Sequence, residues 1–504
     1  MHDRYPRRSP ATSSRAIAMN KVFLLLGLGL LSFTIACGSS GGGNNNSFGG
    51  GNNSNSKLSG QYAYQLSGID LSTGSFFREA GVFTADGNGN ITAGTDDFAE
   101  GTSVSLAVTT TGTYSISSDG TGSGVFNFAN GSSLTFAFTV VDSSQIDLIE
   151  VDGLATAGGT ARLQTASAFS APPSGTFAFR LHTFGTTADS SVGAVGAFTV
   201  ANGTITGNED VERTGTLSSL PLSGSFNFPD ATSGRGTGTF DDGVATTPFA
   251  YYMIDSSTVL LFSTNAGTNG LGQVEKQTAT SFNTASLSGG YAFGSRGDTA
   301  TVDAVRTVGS FTADGSGNIS AGALDSVQDG TSSTNVTLTG SGSYTMASNG
   351  RAAVTLPAST GTIQEIYWMV SPSRAFFLVD DSTKVEDGTA DLQSGSFSNS
   401  SVNGTYVFLN DGYTLSTSDT FDRVGTLTAD GSGTLVVNYA VNVTGSASTV
   451  TLNGSYSVAS NGRMTGSVNS LSNNLVFYLV SGNQAYILQN DSGAEIDGSM
   501  LKQQ

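Results

Sequence analysis

The feature that most constrains the fold is a short motif that returns four times at a long and regular interval. The stretch GVFTADGNGNITAGTDD covers residues 81–97, and related stretches begin at Gly196, Gly309 and Gly425. The equivalent large side chains in the four stretches are 115, 113 and 116 residues apart, and they are Phe83, Phe198, Phe311 and Leu427. A period of this length, found four times, indicates one domain copied in tandem.

Each copy has the pattern of short β-strands joined by tight turns. It opens with a glycine and alternating aromatic residues, such as Tyr62 and Tyr64, which share one face of an extended strand. Asp119-Gly120, Asn349-Gly350 and Asn461-Gly462 are typical of two-residue hairpins in which both residues have positive φ. About eight strands fit in each copy, and no amphipathic helical pattern appears. The sequence therefore predicts an all-β protein.

The repeats divide the chain into six segments. These are a signal peptide (1–36), a cysteine with a Gly/Asn/Ser-rich tether (37–57), and four β repeats (58–168, 169–281, 282–396 and 397–504). Twenty residues of such a tether span about 25 Å as a flexible coil. The tether thus predicts a spacer between the N-terminal segment and the first repeat.

An even number of strands in sequential hairpins favours an up-and-down β-barrel, because closing strand eight on strand one removes both sheet edges. The Gly-x-aromatic opening resembles the Gly-x-Trp start of lipocalin and avidin barrels, with Tyr or Phe in place of Trp. This calycin-like resemblance implies eight strands around an interior that can hold a small ligand. The alternative is an Ig-like sandwich, whose strands are equally short but whose sheets need longer crossovers.

The N-terminal segment has the layout of an export signal. Basic residues precede a 15-residue apolar run, Val22 to Ala36, which is too short for a membrane-spanning helix. The run ends in Thr34-Ile35-Ala36-Cys37, which resembles the lipobox of bacterial lipoproteins, although Thr34 departs from the usual Leu, Val or Ile. The resemblance implies lipidation at Cys37, the chain's single cysteine, with a membrane lipid as partner. It also implies an exported protein anchored to a bacterial membrane, the outer membrane facing the periplasm or the cell surface.

Charge and residue content exclude several classes of function. The net charge is −19, and it is −23 without the first 36 residues, so no basic surface for nucleic acid is expected. His182 is the single histidine outside the signal peptide, so no repeated catalytic triad can form. No zinc ligand set, phosphate-binding loop or other cofactor motif is present. We therefore expect a protein that is not an enzyme and has no catalytic residue, metal site or cofactor.

Two groups of acidic residues invite a functional interpretation. The loop at Asp86 resembles the start of an EF-hand, but position six is Ile91 instead of glycine, which favours a plain turn. The second group follows the hairpin in three repeats and is expected to be a solvated rim, since repeat four lacks it. Its members are Asp96, Asp97, Glu209, Asp210 and Asp325.

The linkers and the sixth strands carry apolar residues that need a partner. Phe169, Phe282 and Phe397 occupy similar places in the three linkers and are predicted to contact neighbouring domains at the junctions. A plug closing the bottom of each preceding barrel is the alternative. The sixth strands of repeats three and four, around Trp368 and Leu475–Val480, are apolar on both faces. Either their outer faces are covered by a neighbouring domain, a partner or a second copy, or the fold is the sandwich.

Two classes of function remain. One is a surface array, a semi-rigid rod of domains that offers structural, adhesive or protein-interaction surfaces to a protein or glycan partner. The other is binding of a small molecule inside one or more barrels, which a side-chain-free cavity in any repeat would favour. The sequence does not set the oligomeric state or the ligand.

Overall fold

The structure, a computed structural model, describes residues 54–185, 191–213, 215–299, 304–339, 342–414, 419–468, 474–491 and 493–504. No helix within these ranges is long and apolar enough to cross a membrane. The proposed signal peptide and Cys37 lie outside the described residues.

The described chain is built almost entirely of β-strands, in four successive sets. The first set is β1 (Ser59–Asp70), β2 (Phe76–Asp86), β3 (Asn90–Glu100), β4 (Ser103–Ile116), β5 (Thr121–Phe128), β6 (Ser133–Asp142), β7 (Gln145–Glu150) and β8 (Ala155–Leu163). The second set is β9 (Gly175–Gly185), β10 (Val192–Ala201), β11 (Thr204–Arg213), β12 (Thr216–Phe226), β13 (Arg235–Asp241), β14 (Thr246–Met253), β15 (Thr258–Ser263) and β16 (Thr268–Lys276).

The third set has one strand more, because its fourth strand is divided into two. It comprises β17 (Ser288–Thr299), β18 (Ala304–Asp314), β19 (Asn318–Gln328), β20 (Thr331–Thr337), β21 (Gly342–Met346), β22 (Arg351–Ala358), β23 (Gly361–Ser371), β24 (Arg374–Val379) and β25 (Lys384–Leu392). The last set is β26 (Asn403–Thr414), β27 (Asp419–Asp430), β28 (Thr434–Val443), β29 (Ser446–Val458), β30 (Arg463–Val468), β31 (Asn474–Ser481), β32 (Gln484–Gln489) and β33 (Ala494–Lys502). Short 3-10 helices precede the four sets, at Asn55–Lys57, Ala166–Ser170, Thr284–Ser286 and Asn399–Ser401.

Each set closes into one antiparallel up-and-down barrel, here called barrels 1 to 4. In barrel 1 every strand pairs with the next one, and β8 pairs back onto β1 with Tyr62 opposite Leu163. Barrel 3 closes in the same way, since both halves of its fourth strand, β20 and β21, pair with β19. The barrel predicted from the sequence is confirmed, and the Ig-like sandwich is wrong.

The inward faces of the strands form four separate aromatic cores. Tyr62 and Tyr64 point inward as the alternation predicts, and both are fully buried. In barrel 1 the ring of Phe126 lies 5.5 Å from that of Tyr64 and 4.6 Å from that of Phe136. Ring contacts of this kind fill the barrel and add to the hydrophobic stabilisation.

The turns after the fourth strands need glycine, although not in the predicted form. Gly120, Gly350 and Gly462 have φ values of 89°, 92° and 84°. The preceding Asp and Asn residues are not among the positive-φ residues, so the prediction of positive φ at both turn positions was wrong. Four residues separate the strands, and the Gly120 amide donates back to the Ser117 carbonyl at 3.1 Å.

The four barrels are joined into a closed ring by a repeated contact, the glutamine clamp. The glutamine after the last strand of each barrel donates both side-chain hydrogens to two backbone carbonyls of the next barrel. Gln164 donates to Ser233 and Met253 at 3.0 and 2.7 Å. The clamp residues are Gln164, Gln277, Gln393 and Gln503.

The last clamp closes the ring. Gln503 of barrel 4 donates to the carbonyls of Asp119 and Val140 in barrel 1, at 3.0 and 2.9 Å. The Gln504 amide adds a hydrogen bond to the Val141 carbonyl at 3.0 Å. The elongated rod expected from the sequence is therefore wrong: ends that a rod would separate are in contact.

Contacts between neighbouring barrels cover the outer faces of the sixth strands, as their apolar patterns require. Trp368 and Ile366 of barrel 3 pack against Ala178 and Val195 of barrel 2. Val476 and Tyr478 of barrel 4, with Val480, pack in the same way against Ala292 and Val308 of barrel 3. A neighbouring domain is thus the cover that the sequence called for.

Two glycines of barrel 1 provide a matched test of the clamp. Gly120 and Gly131 have nearly equal φ values of 89° and 88°, but a Cβ at Gly120 would lie 2.5 Å from Nε2 of Gln503, whereas at Gly131 it would meet nothing within 4 Å. We expect Gly131→Ala to lower the free energy of unfolding by about 1–2 kcal/mol through backbone strain. Gly120→Ala should lose a further ~1 kcal/mol because the clamp is displaced. Urea unfolding measures both, and equal losses would contradict the clamp.

Candidate functional site

The contact surfaces between barrels, here called seams, carry most of the buried charge. At the seam between barrels 1 and 2, Asp97 accepts two hydrogen bonds from the Arg235 guanidinium, both at 2.9 Å, and one from the Tyr252 hydroxyl at 2.6 Å. Asp97 is completely buried. Burial, followed by the Asp97 carboxylate, raises the pKa of Tyr252 well above its usual value, so the hydroxyl keeps its proton and donates.

An aspartate, an arginine and an aromatic residue are arranged in the same way at the next two seams. We call each set of three residues a seam triad. Asp210 accepts from Arg351 at 2.7 and 2.8 Å and from the Trp368 indole at 2.8 Å. Asp325 accepts from Arg463, both bonds at 2.7 Å, and from the Tyr478 hydroxyl at 2.9 Å. Bidentate arginine–carboxylate pairs have fixed geometry, so each triad sets the orientation of two barrels.

The seam triads correct the interpretation of the acids that follow the hairpin as a solvated rim. Asp97, Asp210 and Asp325 are fully buried, and Asp96 and Glu209 are buried as well. Asp96 points into barrel 1, where burial raises its pKa to about 7 and the Tyr64 hydroxyl donates to it at 2.8 Å. The sequence pattern missed the burial of the three triad aspartates because the arginines that cover them lie more than 100 positions away along the chain.

His182, the histidine of barrel 2, is part of an ion pair with barrel 3. Its Nδ1 lies 2.5 Å from Asp387, and its Nε2 lies 3.7 Å from Asp298. Burial disfavours the charged imidazole, but the carboxylates of Asp387 and Asp298 outweigh it and raise the pKa of His182 to about 9. A cationic His182 strengthens a seam and is unsuited to act as a base near neutral pH.

Among the described residues, a small cavity inside barrel 4 is a candidate for binding. Its volume is about 40 Å³, and it opens to solvent. The lining residues are Phe408, Asn410, Arg423, Leu427, Val437, Tyr439, Leu452, Val468, Leu475, Phe477 and Ile487.

Replacement of aromatic side chains explains why barrel 4 has this space. Strand register places Leu427 where barrels 1 to 3 have Phe83, Phe198 and Phe311. It also places Val468 and Leu475 where barrel 1 has Phe126 and Phe136 and barrel 2 has Phe240 and Phe249. Relative to barrels 1 and 2, three phenylalanine positions are aliphatic in barrel 4, and all three smaller residues line the cavity. Barrel 3 has Leu356 and Glu365 at the last two positions and keeps phenylalanine only at the first.

The cavity also contains a cation. Arg423 occupies the register position of Glu79 in barrel 1 and Ala194 in barrel 2. Its guanidinium lies 4.5 Å from the centre of the Phe421 ring and donates one hydrogen bond, to Gln489 at 3.0 Å. The Nε atom is buried and has no acceptor within the described ranges. Burial lowers the pKa of Arg423, because the charged form has lost water and the nearby Tyr439 and Asp491 offset this loss only in part.

The linker phenylalanines lie in the barrel that follows each linker. Phe169 and Phe282 are buried in the cores of barrels 2 and 3, and Phe397 packs against the core of barrel 4. Each phenylalanine therefore packs into the barrel that follows it in the chain. The alternative, that each one plugs the bottom of the preceding barrel, is wrong. Their role in orienting neighbouring barrels stays a prediction.

The Asp86 loop has the hydrogen bonds of a turn. The carboxylate of Asp86 accepts from the backbone amides of Asn88 and Asn90 at 2.7 and 3.0 Å and from the Asn90 side chain at 2.7 Å. These bonds lower the pKa of Asp86 to about 2. Within the described part of the chain, no group of three or more His, Cys, Asp or Glu residues is placed to hold a metal ion.

Comparisons with known proteins yield distant structural similarity alone. No family model and no curated protein matches the chain. A solved structure of a DUF3598 family protein of unknown function from Nostoc punctiforme is 12% identical, with a TM-score of 0.16, covering 43% of this chain and 95% of that one. Kievitone hydratase from Nectria haematococca is 7% identical, with a TM-score of 0.17, covering 67% of this chain and 93% of the hydratase.

The seam triads make a stability prediction. Asp97→Ala should lower the free energy of unfolding by about 3–5 kcal/mol, because it leaves the buried Arg235 guanidinium without its partner. Asp86→Ala, which changes a carboxylate at the turn of the same hairpin and outside the seam, is the control. Urea unfolding of the two variants should separate them clearly, and equal midpoints would show that the triad does not stabilise the seam.

Proposed function

We propose that the chain binds a small amphipathic anion inside barrel 4. The observation that carries the proposal is the cavity left by three lost phenylalanines, with the Arg423 guanidinium in its wall. An apolar pocket with one or two well-placed polar groups is the usual form of a small-molecule site. This supports the binding function that the calycin-like resemblance implies.

The chemistry of the wall selects the ligand class. The aliphatic side chains of Leu427, Val468 and Leu475 favour a hydrocarbon portion, whose burial is stabilised by about 25 cal/mol per Å². The free Nε–H of Arg423 favours an acceptor with negative charge, and a carboxylate is the acceptor that a guanidinium binds best. A short alkyl carboxylate has both parts.

The remaining elements of the function are also proposals. We place the protein at a bacterial membrane, exported and held by a lipid on Cys37, with the ring carried on the Gly/Asn/Ser-rich tether. In this setting the protein is a binder and not an enzyme. A surface array with a protein or glycan partner stays a prediction, although the closed ring removes the rod on which that prediction rested.

The binding proposal is tested by titrating the protein with butanoate in a calorimeter, with butanol as the uncharged comparison. We expect one saturable site that prefers butanoate. Arg423→Gln should weaken butanoate binding tenfold or more, since a hydrogen bond to a charged group contributes about 1.5–3 kcal/mol. Leu427→Phe, which restores the residue of the other barrels, should fill the cavity and abolish binding.

Lys502→Gln is the matched control, because it removes a positive charge of barrel 4 that lies near the Tyr406 ring and outside the cavity. It should bind butanoate like the unchanged protein. Butanoate binding that survives both Arg423→Gln and Leu427→Phe would place the site elsewhere or refute it.

The anchor is tested independently of the cavity. Cells expressing the chain and given a fatty-acid analogue should label the unchanged protein and leave Cys37→Ser unlabelled, since no other cysteine is present. Equal labelling of the two proteins would remove the lipoprotein assignment.

A further inference from the structure

The seam between barrels 4 and 1, here called the closing seam, differs from the other three. Linker segments of the chain join barrels 1 to 2, 2 to 3 and 3 to 4, but none joins 4 to 1. The closing seam also lacks a seam triad. The strand register shows what replaces the triad. The position of the acid is occupied by Ala440 of barrel 4, that of the arginine by Thr121 of barrel 1, and that of the aromatic residue by Thr139 of barrel 1.

Small side chains and the Asn442 amide take the place of the triad in the closing seam, beside the clamp of Gln503. Ala137 and Ile149 of barrel 1 pack against Val424 and Ala440 of barrel 4. Asn442, fully buried in β28, donates to the backbone carbonyls of Glu150 and Ala155 at 2.8 and 2.7 Å. Because the contact is buried, any charge placed in it loses its hydration.

Two carboxyl groups nevertheless lie in this seam, one from each barrel. Asp147 points outward from β7 on the same face as Ile149 and is 2% exposed. At its register position the other seams have apolar or aromatic residues, namely Leu260, Phe376 and Tyr486. Asp422 of β27 is 4% exposed and lies against β8, where a Cβ on Gly158 would be 2.9 Å from its Oδ1.

The groups around these two aspartates do not balance two negative charges. The Asp147 carboxylate accepts a hydrogen bond from the Gln145 side chain at 3.1 Å. On the flanking strands, Asp147 pairs with Thr139 and Thr160. Across the seam, strand β27 carries Val424 and Asp422 on the face that packs against barrel 1. Asp422 has two further carboxylates near it, from Asp411 on β26 and Glu150 on β7, and one cation, Arg296 on β17. That guanidinium is already bonded to Asp411 and Asp497.

We infer that the closing seam is a pH-sensitive latch: it stays shut while Asp147 and Asp422 carry protons, and it opens when they ionise. Each ionisation releases a proton to water and leaves a carboxylate in a buried contact. The other three seams each have an arginine-paired aspartate in their triad, and their barrels are joined by the chain. The result is a reversible change from a ring to an open arc of four barrels.

The pH range follows from the direction of the shifts. Burial raises the pKa of Asp147 to about 7 and that of Asp422 well above its usual value. A carboxyl group whose pKa is higher in the closed state stabilises that state below its ordinary pKa of about 4, and the contribution is lost as the pH rises through the raised value. The latch should therefore be shut at about pH 5 and open above about pH 7.

Distances between spin labels on the two barrels test the latch. In the full chain with Cys37→Ser, labels on Ala129→Cys and Ala447→Cys, both at exposed positions, report on the closing seam. We expect a narrow distance distribution at about pH 5 and a longer, broader one at about pH 9. Labels on Thr331→Cys and Ala447→Cys, exposed positions of barrels 3 and 4, should give the same distribution at both values, because that seam has both a triad and a linker.

Variants assign the change to the two aspartates. Asp147→Asn combined with Asp422→Asn should keep the distribution narrow at about pH 9, because neither side chain can ionise. Glu365→Gln, which replaces a buried acid inside barrel 3 whose pKa is raised to about 7, should open like the unchanged protein. If the double variant fails to fold, Asp147→Asn alone should shift the opening to higher pH. A distribution independent of pH, or equal opening with and without the two aspartates, would overturn the inference.

Discussion

The structure depends on the burial of one outer face of each barrel against the next. A free up-and-down barrel has polar residues outside, but here the outer residues of the second and sixth strands are small, aliphatic or aromatic, as in the contact of Trp368 with Val195. Four such contacts can all be satisfied only if the last barrel returns to the first. The glutamine clamp, repeated from Gln164 to Gln503, gives each contact the same geometry and so makes a ring possible.

The four copies have diverged in ways that separate stability from function. Barrels 1 to 3 keep phenylalanine at the position of Leu427, and their interiors are filled by ring contacts such as that between Tyr367 and Phe377, 5.0 Å apart. Relative to barrels 1 and 2, barrel 4 has lost three of these rings, and it has gained Arg423; barrel 3 lacks two of the three, with Leu356 and Glu365 in their places. A ring of four similar domains can tolerate this loss in one member, since the other cores and three seam triads still hold the assembly.

A good part of the architecture could be predicted from the sequence, because it rests on local patterns. Alternation of aromatic residues around Tyr62 indicates which face of a strand is buried, and a repeat period indicates the number of domains. Both predictions are confirmed. The acids of the seam triads were misjudged for the opposite reason: nothing within a few residues of Asp97 shows that Arg235 and Tyr252 will cover it. A signal for this pairing exists in the sequence, since the arginine directly after the turn glycine recurs at 235, 351 and 463, where repeat one has Thr121.

The sequence by itself determined the four repeats, the all-β class, the turns that require glycine and the apolar outer strands that require a cover. These follow from short-range periodicity and from the steric limits on single residues. Only the tertiary structure decided what the cover is, that the chain ends meet in a ring, that Asp147 and Asp422 share a buried seam, and that barrel 4 contains a cavity. Each of those depends on which side chains meet across hundreds of residues, and on the volume left between them, and neither quantity is written in the order of neighbouring residues.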